Sequence, residues 1–147
     1  MKLIRNSPVL NLKKEAFPFQ QDALNTIKDK EYFAIFHEQG LGKTKIAIDL
    51  LYYWLKEDSV DSILIVTKKS LIQNWEDEIK IHTSIHPVIF SPNKKENSSK
   101  FFSYAKIFIC HFDLIANDLE NFITFAKLRK LGMVLDESVA IKNPLTN

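Results

Sequence analysis

A chain of 147 residues, 46% hydrophobic and 26% charged, has the length and balance of one globular domain with a single core. Three glycines and five prolines are too few for a linker-rich or collagen-like chain, and eleven phenylalanines supply a substantial apolar interior. Twenty basic residues against eighteen acidic ones leave a net charge of +2, which by itself does not argue for nucleic acid; any such contact comes from a local patch or from a part of the protein outside these residues.

In chain order, Met1 to Ala16 reads as an extended lead-in. From Gln20 to about Lys30, Ala23, Leu24 and Ile27 fall on one helical face. Tyr32 to Phe36 is a short apolar run that predicts a buried strand, followed by the turn Gln39-Gly40-Leu41-Gly42. Lys43 to Lys56 predicts a helix with Ile46, Ala47, Leu50, Leu51 and Trp54 inward. Ser62 to Thr67 (SILIVT) is β-branched, as a parallel strand buried on both faces requires. Ser70 to about His82 is an amphipathic helix carrying Leu71, Trp75 and Ile79. Pro87 to Phe90 predicts a short strand, and the polar, basic stretch Ser91 to Lys100 predicts a loop. Lys106 to His111 is a further strand, Phe112 to Lys130 a helical stretch broken near Asn117, and Met133 to Asp136 a last strand. This alternation implies an α/β fold, a parallel sheet between two helical layers.

Cys110 is the only cysteine, so no internal disulfide is possible and a cytoplasmic protein is expected, or a nuclear one in a eukaryote or virus. No stretch has the length of a signal peptide's apolar region or a membrane span, so no membrane partner is expected.

Two segments carry chemistry. HEQGLGKT, His37 to Thr44, stands between a predicted strand and a predicted helix, the setting of a phosphate-binding loop. Gly40 and Gly42 let backbone N–H groups turn toward phosphate oxygens, and the following helix N-terminus adds partial positive charge. Gln39, Gly40, Leu41, Gly42, Lys43, Thr44 and Lys45 are the candidate nucleotide-binding residues. Lys43 is placed to reach the β- and γ-phosphates, and the Thr44 hydroxyl to ligate magnesium, a hard ion that prefers oxygen. His37 stands where the general pattern opens with Gly. Downstream, Asp136 and Glu137 close an apolar strand, where a carboxylate sits at the ligand-binding mouth of a parallel sheet. Asp136 is the candidate magnesium ligand and Glu137 the group that orients and deprotonates an attacking water.

Several segments together resemble the Snf-two (switch/sucrose-non-fermenting) group of helicase superfamily two. They are FPFQ (Phe17–Gln20), EQGLGKT (Glu38–Thr44), ILIVTKKSLIQNWEDEI (Ile63–Ile79), IFICHFDLI (Ile107–Ile115) and MVLDESVAIKNP (Met133–Pro144). Trp75 and Ile141-Lys142-Asn143 are the most specific marks. The resemblance implies the first of two RecA-like motor domains, spanning 1–147 and continuing into a second domain that these residues do not contain. It implies ATP and Mg2+ as cofactors, duplex DNA as partner of the full-length protein, and ATP hydrolysis stimulated by duplex. By position, Gln20 would bond adenine, and Thr67, Lys68 and Ser70 would lie near the DNA backbone. Val139 stands where the family usually has His, which touches coupling to DNA rather than nucleotide binding. Without the second domain's arginine fingers, the chain alone is expected to bind nucleotide and hydrolyse it poorly.

Two other readings compete. One is another superfamily-two ATPase, such as a restriction-enzyme motor or an RNA helicase. The other is a non-catalytic nucleotide-binding scaffold. Among remaining residues, Trp54, Trp75 and Cys110 read as core. His82 and His86 read as structural or exposed, and Lys94, Lys95 and Lys100 as a solvated loop.

Overall fold

The computed structural model describes residues 32–36 and 41–136, with the backbone alone at 33–36, 41–44 and 46. The expected helix from Gln20 to Lys30 lies outside these residues. Five strands form one parallel sheet: β1 (Tyr32–Phe36), β2 (Ser62–Thr67), β3 (Val88–Ile89), β4 (Ile107–His111) and β5 (Leu131–Asp136). Their order is β1-β5-β2-β4-β3. The central strands β2 and β5 are buried at every position, which explains why their sequences are continuous apolar runs rather than alternating ones.

Side chains of each strand alternate between the two faces, and each face has its own core. On one side Ile63, Ile65, Ile107, Ile109 and Val134 pack beneath α1 (Leu41–Lys56) and α2 (Ile72–His82). On the other, Leu64, Val66, Phe108, Cys110 and Met133 pack against α3 (Phe112–Asn117) and α4 (Leu119–Lys127). The result is the expected three-layer α/β/α arrangement. Ala47, Leu50, Leu51 and Trp54 form the buried stripe of α1, and Trp75 and Ile79 that of α2, as their spacing predicts.

Three details differ from the sequence expectation. β5 begins at Leu131, two residues early, because Gly132 is part of the strand and pairs with Tyr32 on β1. Its missing side chain is the space that Trp54 fills: a Cβ there would stand 3.0 Å from the indole ring and 2.9 Å from Ile63 Cδ1. The stretch Ser91 to Lys100 is not a free loop. It holds one 3-10 turn, Lys94–Asn97, and runs into a second, Lys100–Phe102. The fully buried Asn97 side chain accepts from Ser91 N and donates to Ser91 O, fastening this turn to the edge of the sheet. Last, α1 begins at Leu41 rather than Lys43, so Leu41 and Gly42 belong to its first turn; the helical stretch after β4 is broken as expected, with Asp118 between α3 and α4.

Candidate nucleotide and metal site

β1 and β5 are neighbours in parallel register, and their last residues, Phe36 and Asp136, are level. Adjacent strands lie about 4.8 Å apart. The end of β1 therefore lies beside the Asp136 backbone. The helix that follows is sixteen residues long, enough to carry a full terminal dipole.

Asp136 is 8% exposed. A buried carboxylate needs hydrogen-bond donors to offset its lost water. Two reach the same oxygen: the Thr67 hydroxyl donates to Oδ2 at 3.2 Å and the Trp75 indole Nε1–H donates to it at 3.1 Å. The register accounts for both. Val66 pairs with Leu135, so one step on Thr67 meets Asp136. Asp136 falls on the same sheet face as Val134, which is the face α2 covers, and Trp75 hangs from α2 above it.

His111 continues this row, since it pairs with Thr67 on the other side. Its Nε2 is buried and has no hydrogen-bond partner among the described residues. Burial is the largest influence on its pKa and holds it below the ordinary histidine value; Asp113 pulls it up and Lys69 pushes it down.

The candidate residues thus divide. Asp136 stands where the sequence places it, at the strand end. Lys68 and Ser70 are exposed at the turn between β2 and α2. Thr67 departs from the expectation of a DNA contact: it is fully buried, and its hydroxyl is directed to Asp136. Lys45 is exposed and its ammonium lies 3.0 Å from Asp49, one turn along α1. Leu41, Gly42, Lys43 and Thr44 form the first turn of α1, with backbone positions only. Gln20, Gln39, Gly40, Glu137 and Val139 lie outside the described residues.

The sequence missed the Trp75–Asp136 bond, which spans 61 positions. A signal existed: a buried tryptophan N–H ordinarily finds an acceptor, and a strand-end carboxylate on the facing sheet is a good one. The sequence also missed that Glu78 sits one helical turn before His82, whose Nε2 is 3.2 Å from Oε1. Among the described residues no three His, Cys, Asp or Glu side chains converge as a metal cluster. Magnesium does not need one. It keeps several waters and takes one or two protein oxygens together with phosphate oxygens, so one fixed carboxylate beside the loop end fits it.

Other features lie elsewhere. The open cleft lined by Asp61, Ser62, Tyr104, Lys106, Leu128 and Arg129 is at the N-terminal ends of β2 and β4, the opposite edge from Asp136. Arg129 there is engaged with the carbonyls of Phe101, Ser103 and Phe125 and lies 4.1 Å from the Phe125 ring centroid. Cys110 is fully buried and its thiol pKa is pushed up by burial, so it packs as an apolar side chain. Among the described residues no helix is long and apolar enough to cross a membrane.

Among solved structures, the Sulfolobus solfataricus SWI2/SNF2 ATPase core in complex with double-stranded DNA matches with a TM-score of 0.48 and 17% identity, over 87% of this chain and 33% of that one. A protein of the fission yeast Schizosaccharomyces pombe, described as an uncharacterized ATP-dependent helicase, is 34% identical over 72% of this chain. The chain spans 12% of that relative's length. The model of the SNF2-related domain matches residues 28–147, and the chain belongs to that family.

Proposed function

We propose that this chain is the ATP-binding half of a DNA-dependent ATPase and translocase. The observation that carries the reading is the level ending of β1 and β5: the strand that leads toward the Gly-Leu-Gly-Lys-Thr sequence ends beside the strand whose last residue, Asp136, is anchored by Thr67 and Trp75. On this reading the first turn of α1 binds the phosphates, with Lys43 as the fixed cation. Thr44 and Asp136 hold the metal, and Glu137, the next residue, orients and deprotonates water. Magnesium, when bound, neutralises charge on the phosphate oxygens. Gln20 contacts adenine.

The exposed turn Lys68-Lys69-Ser70 supplies the local basic patch that a net charge of +2 does not provide in bulk. It follows Thr67 directly at the end of β2, the strand next to β5, and suits the backbone of duplex DNA. Arginine fingers donated by a second motor domain raise turnover by roughly three to five orders of magnitude. The 147-residue chain alone therefore binds nucleotide and hydrolyses it slowly.

The test is ATP turnover by the full-length protein, with and without duplex DNA, beside Lys43→Ala. Duplex-stimulated turnover that disappears in the variant is the expected result. Turnover indifferent to duplex, or stimulated only by RNA, would overturn the translocase reading.

A further inference from the structure

The two donors on Asp136 Oδ2 lie on either side of the exposed turn in the sequence. Thr67 is the last residue of β2, and Trp75 lies one turn into α2; Lys68, Lys69 and Ser70 stand between them. The turn itself is a short 3-10 segment, Lys69–Leu71, closed by Leu71 N donating to Lys68 O at 2.9 Å, with no buried residue. An exposed turn thus sits between two buried hydrogen bonds to one carboxylate. Both bonds are long-range, 69 and 61 positions apart in sequence, so they form only when the sheet and α2 are docked.

From this arrangement we infer that Trp75 and Thr67 are positioning residues for the metal-binding carboxylate, and that they tie its orientation to the Lys68–Ser70 turn. The inference rests on the nucleotide–metal reading of the site. Trp75 cannot act by charge or by proton transfer, since indole only donates. Its part is to fix which way Asp136 faces, as groups hydrogen-bonded to a metal ligand do; removing one such group typically weakens metal binding 10- to 100-fold. Trp54 serves as the internal control. It is equally buried and packs over Gly132, four residues back along β5. That distance is about 13 Å at the rise of a β-strand.

The experiment uses the whole chain labelled with 15N at the tryptophan indoles, with ATP present and Mn2+ as the probe. Nucleotide binding is followed in the same samples. The Trp75 resonance, identified by its loss in Trp75→Phe, is expected to broaden at lower Mn2+ than that of Trp54. Trp75→Phe and Thr67→Val are each expected to raise the half-saturating Mn2+ about tenfold. Thr67→Ser, which keeps the hydroxyl, restores it. Binding of nucleotide in EDTA stays within about twofold of the unmodified chain in all three. A purely structural role would lower the melting temperature without moving the Mn2+ midpoint, and that result overturns the inference. Thr67→Val carries the test if Trp75→Phe fails to fold. Absence of any nucleotide binding would instead remove the site reading beneath it, so the two failures are separable.

Discussion

Trp54 and Trp75 are both buried, yet their indole N–H groups end differently. The first finds no acceptor among the described residues; the second donates to Asp136. Both were legible in the sequence as inward residues on amphipathic helices, because 3.6-residue periodicity reports the face a side chain occupies. Periodicity says nothing of what lies across that face, and so the bond to Asp136 was not legible. The same limit applies at Thr67, which the strand pattern placed at the end of its strand and the family resemblance set near the DNA backbone. His111 offers a test at this scale. Its folded pKa lies below the ordinary value of 6.5, chiefly through burial. The unfolded chain therefore binds more protons as pH falls below that value, and the fold loses stability there. Stability to urea is expected to be level above about pH 7 and to drop toward pH 5.5, more steeply than in His111→Asn. Equal slopes in the two proteins would show that His111 is not the group responsible.

Among the elements, β1, β2 and β4 matched their apolar runs within a residue, while β5 was read two residues short. The reason is Gly132. A glycine inside a strand ordinarily signals a break, but here it makes room for Trp54 of α1 against the sheet. Gly132→Val is expected to cost about 1–3 kcal/mol, the range for overpacking a filled core, measured by urea unfolding. An unchanged midpoint would mean that Trp54 moves aside freely. The end of α1 makes the opposite prediction. Asp58 has φ of 58°, with Asp58 N donating to Leu55 O and Ser59 N to Trp54 O, a Schellman ending that favours glycine at this position. Asp58→Gly is expected to stabilise the fold by about 0.5–1 kcal/mol, since left-handed backbone costs a non-glycine residue about that much or more.

Across the whole molecule, the parallel three-layer fold was legible because alternating strand and helix patterns admit few topologies. What was not legible is how the second face closes. Phe90 follows the two-residue edge strand β3, yet it is fully buried at the centre of an aromatic cluster. Its ring centroid lies 4.9 Å from Phe101, 5.1 Å from Phe122 and 5.7 Å from both Phe108 and Phe125. The stretch Ser91 to Lys100, read as a solvated loop, is what brings Phe101 into that cluster; Lys100 donates to Ile89 O and Lys94 to Asn117 O. Phe90→Ala is expected to destabilise the domain by about 3–5 kcal/mol, the cost of an aromatic truncation in a closed core.

The central claim is that the end of β1, the start of α1 and Asp136 make one nucleotide–metal site. The most direct test is calorimetric titration of the chain with a slowly hydrolysed ATP analogue, with and without Mg2+, for the unmodified protein, Lys43→Ala and Asp136→Asn. The account predicts binding that Mg2+ strengthens, at least about tenfold weaker binding in Lys43→Ala, as loss of a charged hydrogen bond implies, and no Mg2+ enhancement in Asp136→Asn. Nucleotide binding that ignores both substitutions would contradict it.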